Sequence, residues 1–80
     1  MNCELQETVG RCKHKGKNYA IWLTSVDGAP ESWSVEIPAG TKYARRFSDL
    51  MHWLQRNQAR IDYTSLRPDI GELDRRINAR

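Results

Sequence analysis

The sequence predicts an α+β fold, an antiparallel four-stranded meander sheet followed by two helices packed on one face. Three observations carry this. Trp33, Val35 and Ile37 alternate strictly with Ser32, Ser34 and Glu36, the period of a strand with one buried and one wet face. Turn-forming residues recur at strand-length intervals, at Lys15-Gly16, Asp27-Gly28-Ala29-Pro30 and Pro38-Ala39-Gly40, and separate the strands they join. Beyond residue 46 the apolar spacing becomes helical, with Phe47, Leu50, Met51 and Leu54 at i, i+3, i+4 and i+7. Eighty residues make a single domain, 1–80, near the lower size limit for folding without staples.

The first strand alternates imperfectly over residues 3–9, with Cys3, Leu5 and Val9 opposed to Glu4, Gln6 and Thr8. Gly10 then marks a bulge or the strand's end. A second strand, 17–26, has Tyr19, Ile21 and Leu23 on one side and Ala20, Trp22 and Val26 near the other, so it belongs in the middle of the sheet. The third strand is the alternating segment at 32–37. The fourth runs from Thr41 to Arg46, with Tyr43 on one face and Lys42, Ala44 and Arg46 on the other.

Ser48 is the expected N-cap of the first helix, 48–59, with Asp49 favourably placed in the helix dipole. Trp53 widens its apolar face and His52 lies at the edge. Leu66, Ile70, Leu73 and Ile77 outline the last helix, with Pro68 in its first turn and Asp69 and Glu72 ahead of Arg75, Arg76 and Arg80. Gly71 weakens it by about 1 kcal/mol relative to Ala, so packing must hold it.

Composition narrows the function. At 39% hydrophobic and 29% charged the chain has the make-up of an ordinary soluble globular protein, not a disordered one. The N-terminal residues lack the basic and apolar regions of a secretory signal. The longest apolar run, Tyr19-Ala20-Ile21-Trp22-Leu23, is far too short for a membrane span. A cytoplasmic location with no membrane partner is expected. On one extended strand, Cys3 and Cys12 would be about 30 Å apart, beyond disulfide reach.

The charge is concentrated. The chain carries 13 Lys+Arg and 10 Asp+Glu, net +3. Without Arg11, Lys13, Lys15 and Lys17 its cations would number one fewer than its carboxylates. In an extended conformation these four share one face and could meet a row of phosphates. The alternative is a solvated hairpin tip, where charge discourages edge pairing. Tyr19 follows the stretch, and Tyr43 with Arg45 and Arg46 makes a second basic and aromatic group.

Metal and catalytic readings find less. Cys3, Cys12, His14 and His52 include only one near pair, Cys12-x-His14, instead of the paired spacing of zinc sites. The expectation is a buried Cys3 with Cys12 and His14 exposed, and no metal or cofactor. No segment joins nucleophile, base and oxyanion donors, so no enzyme is expected. Trp22, Trp33 and Trp53 each bring on the order of 200 Å² of surface, and core positions are expected for Trp22 and Trp53.

The order of elements, with the helix Phe47-Ser48-Asp49-Leu50-Met51-His52-Trp53-Leu54 and the charged ending Glu72-Leu73-Asp74-Arg75-Arg76-Ile77, resembles small phage-encoded type I-F anti-CRISPR proteins. The likeness is of layout, strongest over 17–80, and includes the Arg45-Arg46-Phe47 run into the helix. It implies non-enzymatic inhibition by occupying the nucleic-acid-binding face of a CRISPR effector complex. Such inhibitors often present acidic surfaces, from which the basic 11–17 stretch departs, and no family binding residue carries over.

The expected function is therefore a small non-enzymatic binding protein, a phage or mobile-element inhibitor that docks on a host protein or ribonucleoprotein complex handling nucleic acid. Its surface would combine Arg11, Lys13, Lys15 and Lys17 with Tyr19, Tyr43, Arg45 and Arg46. The alternatives are direct DNA or RNA binding through the same cations and, further off, a small enzyme or zinc protein.

Overall fold

The computed structural model describes residues 3–79. Four strands form the expected meander: β1 (Glu4–His14), β2 (Lys17–Val26), β3 (Ala29–Ile37) and β4 (Gly40–Ala44). Helix α1 (Phe47–Arg56) follows, then a further strand β5 (Arg60–Asp62), a 3-10 turn at Tyr63–Ser65 and helix α2 (Ile70–Asn78). The sheet thus has five strands, ordered β4-β3-β2-β1-β5 and antiparallel at every pairing. The four-stranded expectation missed β5, whose three residues are too few to display a period.

The hairpin turns follow from residue chemistry. Lys15 and Gly16 have φ of 52° and 83°, and Asp27 and Gly28 have 53° and 81°. Positive φ at both central residues defines the two-residue turn whose twist matches that of paired strands. The strand β1 does not end at Gly10. It bulges between Thr8 and Gly10 and continues to His14. A Cβ at Gly10 would collide with Leu66, whose side chain lies over that position.

The core lies between the sheet and the helices. Val9 and Cys12 of β1, Ile21 and Leu23 of β2, and Trp33, Val35 and Ile37 of β3 pack with Phe47, Leu50, Leu54, Ile70, Leu73 and Ile77. Trp53 packs partly buried against this cluster, as expected, and His52 is exposed. The assignment of the cysteines reverses. Cys12 is wholly buried, His14 is only 5% exposed, and Cys3 is exposed. The bulge explains the error at Cys12 and His14, because the extra residue resets which later side chains of β1 face inward, whereas Cys3 lies ahead of it at the strand's exposed start.

Both ends of α1 differ from expectation. The N-cap is Arg46, not Ser48, and its side chain makes no capping bond. The cap comes from the other helix, because Asp74 Oδ1 accepts hydrogen bonds from the Phe47 backbone N–H and from Trp33 Nε1–H, each 2.9 Å. Phe47 and Trp33 also meet edge to face at 5.0 Å. At the C-terminus the Ala59 N–H donates to Leu54 O and the Gln58 N–H to Gln55 O, the double bond of a Schellman ending. Gln58, with φ of 61°, occupies the position usually given to Gly. The helix therefore stops at Arg56 and the chain turns into β5.

In α2, Ile70, Leu73 and Ile77 are buried as the spacing predicts, but Leu66 and Pro68 precede the helix. Arg80 lies outside the described residues. The segment before α2 seals β1: Arg11 N–H donates to Ser65 Oγ and Arg67 N–H to Val9 O, both 2.9 Å. Arg67 also pairs with Glu7 and Asp69.

Candidate docking surface

Both helices cover the same side of the sheet. Strand residues paired across a ladder share a face, and neighbours along a strand alternate. Trp33, Val35 and Ile37 are inward, so Ser34 and Glu36 point to the uncovered side. There the register aligns one row across four strands, Thr8 to Trp22, Trp22 to Ser34 and Ser34 to Tyr43.

Trp22 is half-buried and is not part of the core, which corrects its expected assignment. Tyr43 is 70% exposed, while Ser34 between them is only 6% exposed. Ser34, expected on a wet face, is instead buried at a position flanked by these two aromatic residues in the register. Two strand spacings put the backbones under the rings about 10 Å apart. The row is an aromatic strip with a small residue at its centre.

Charges of both signs border it. In the adjoining row Arg11 pairs with Ala20 on one side and Asp62 on the other, and Glu36 continues the same face on β3. Lys13 pairs with Asn18 and Arg60. The Arg11 guanidinium lies 3.5 Å from the Asp62 carboxylate, with both side chains well exposed, a contact of little energetic weight. The Thr64 hydroxyl, helped by the Thr64 N–H and Arg11, holds the Asp62 carboxyl below its ordinary value against a smaller opposing effect of desolvation.

The eight expected site residues do not form one surface. Arg11, Lys13 and Tyr43 share the uncovered face. Lys15 is in the turn, and Lys17 pairs with inward-facing His14, so the anticipated row of four cations is split between sheet faces. Tyr19 packs on the helix side, edge-on to His14 at 6.5 Å. Arg45 and Arg46 occupy the β4–α1 junction, where Arg45 O accepts a bond from Asn78. Missed altogether were Trp22, Arg60 and Asp62. The signal for Trp22 was available, since it falls between Ile21 and Leu23 and must face away from them.

A groove of about 860 Å³ runs between α1 and β5. Its lining includes Met51, His52, Leu54, Ile61 and Tyr63 but no carboxylate to pair with the imidazole. Burial pushes the Cys12 thiol up, away from the thiolate needed for attack or metal ligation. Among the described residues no group of three His, Cys, Asp or Glu is arranged to hold a metal ion. No helix among them is long and apolar enough to cross a membrane. A comparison with family models, with curated proteins and with solved structures finds no match to this chain.

Proposed function

We propose that this chain is a non-enzymatic docking protein of the cytoplasm, encoded by a phage or mobile element, that binds and blocks a nucleic-acid-handling complex in the manner of the type I-F anti-CRISPR proteins it resembles in layout. The observation that carries the reading is the Trp22–Ser34–Tyr43 row on the helix-free face. Interface centres are rich in Trp, Tyr and Arg, and a rim of mixed charge supplies register more than affinity. Arg11 beside the row, with Asp62 and Glu36 around it, fits such a rim.

Direct nucleic-acid binding is the second reading, favoured by the same aromatics, on which bases could stack beside Lys13 and Arg60. The local charge favours the first reading. The cation next to the aromatic row is offset by two carboxylates on the same face, which a phosphate backbone would also meet.

The test is capture of partners from a host lysate with tagged wild-type protein and with Trp22→Ala and Tyr43→Ala, alongside an assay of type I CRISPR interference. The proposal expects one reproducible protein partner that both variants lose and a Lys13/Lys15/Lys17→Ser variant keeps. It also expects wild-type protein to suppress interference. No effect on interference would remove the anti-CRISPR reading. Binding to single-stranded oligonucleotides that falls steeply between about 50 and 200 mM salt, and is lost with the lysines, would transfer the function to nucleic acid.

A further inference from the structure

A second cleft, about 300 Å³, lies at the end of the sheet away from α2, between the β1–β2 turn, the β3–β4 turn and the end of α1. Its lining includes His14, Lys15, Pro38, Arg56 and Gln58. His14 faces the core and is 5% exposed, and its Nδ1 has no hydrogen-bond partner. An imidazole nitrogen taken from water without a partner costs free energy that no contact returns, so such an atom calls for an explanation.

The surroundings supply one. Lys15 and Arg56 line the cleft, Lys17 pairs with His14 across the hairpin, and no lining residue is acidic. None of these three cations takes part in the ion pairs found among the described residues. Turn geometry and one side-chain bond shape the backbone around the cleft. Lys15 is fixed by the tight turn at φ 52°, Gln58 by the helix ending at φ 61°, and Asn57 by its side-chain bond to Trp53 O.

We propose that this cleft is an anion subsite for a phosphate group, with Lys15 and Arg56 supplying charge and His14 the buried donor. A phosphate fits the donor set because its several oxygens can accept from a guanidinium, an ammonium and an imidazole N–H together. The site is separate from the Trp22–Tyr43 face and does not depend on that face's function.

Titration of the full chain with inorganic phosphate at constant ionic strength, followed by amide and imidazole 15N spectra, tests it. Saturable shifts confined to His14, Lys15 and residues 56–58 are expected, with the His14 Nδ1 signal moving as it gains a partner. Arg56→Ala and Lys15→Asn should each weaken binding at least about fivefold. Both positions are exposed, and Asn tolerates the positive φ at position 15, so these variants keep the fold where His14→Gln could lose it. Trp22→Ala should bind phosphate as the wild type does.

Chloride reproducing the shifts, or affinity unchanged in Arg56→Ala and Lys15→Asn, would overturn the proposal and leave His14 hydrated only. Two further arms identify the source of the phosphate. Competition by a short single-stranded DNA assigns it to a nucleic-acid backbone. Competition by a nucleoside monophosphate, with none from the DNA, assigns it to a free phosphate ester.

Discussion

The strand β3 presents two opposite surfaces within six residues. Trp33, Val35 and Ile37 lie under two helices and are almost inaccessible, while Ser34 and Glu36 look onto a face no helix touches. On the covered side residues from β1, β2, β3 and both helices pack into one buried cluster. The open side has two aromatic rings spaced by a serine, bordered by charges that pair weakly or not at all. The buried packing therefore lies on one side, and the residues of the other side contribute little to it. A protein of this size has one core, and covering both faces would leave no open sheet face.

This contrast breaks most sharply at Asp74. Asp74→Ala removes the acceptor for Trp33 Nε1–H and Phe47 N–H at once and detaches the entry of α1 from α2. Two orphaned donors predict a loss of about 2–4 kcal/mol. For a chain this short that corresponds to a melting temperature lower by on the order of 10–20 °C, measurable by calorimetry. Trp22→Ala is the complement, expected to weaken docking by about 2 kcal/mol or more, roughly 30-fold, with little change in melting temperature. Equal loss of stability in both variants would show that Trp22 belongs to the core after all.

Smaller changes sharpen the contrast. Gly10→Ala places a methyl against Leu66 on the covered side, and overpacking there predicts a cost of about 1–3 kcal/mol by urea unfolding. The smallest effect is on the open face. Asp62 has a lowered pKa in the folded state, so it contributes stability above its unfolded value and loses it as pH falls through the folded one. The stability difference between wild type and Asp62→Asn should therefore be present at neutral pH and shrink toward zero below pH 3.8, as followed by acid titration of the unfolding transition.

Much of the covered side was legible in the sequence, because periodicity reports burial. The alternation of β3, the two helical spacings and all three hairpin turns identify their elements directly. What escaped depends on partners distant in the chain. Ser48 looks like a cap in isolation, but Asp74 supplies that acceptor from another helix, which no local pattern encodes. Gln58 ends α1 in a conformation where Gly would have announced itself. A single bulge beside Val9 inverted the expected exposure of Cys12 and His14. The candidate surface was only half legible for a related reason. Alternation tells which residues share a strand face, but only the register across strands brings Trp22 level with Tyr43.

The pairing of β5 with β1 has a consequence for how the chain is made. Arg11 and Asp62 become neighbours only after some fifty intervening residues have been synthesised, whereas the three hairpins need only their own strands. During translation the meander can form while the outer edge of β1 still offers its unpaired N–H and C=O groups to any passing strand. Local pairing is fast and long-range closure slow, so that interval is built into the topology. Arg11 and Lys13 lie along this edge, and charged side chains discourage strands from adding to it. In that interval Arg11 and Lys13 would oppose the addition of a foreign strand to the nascent chain.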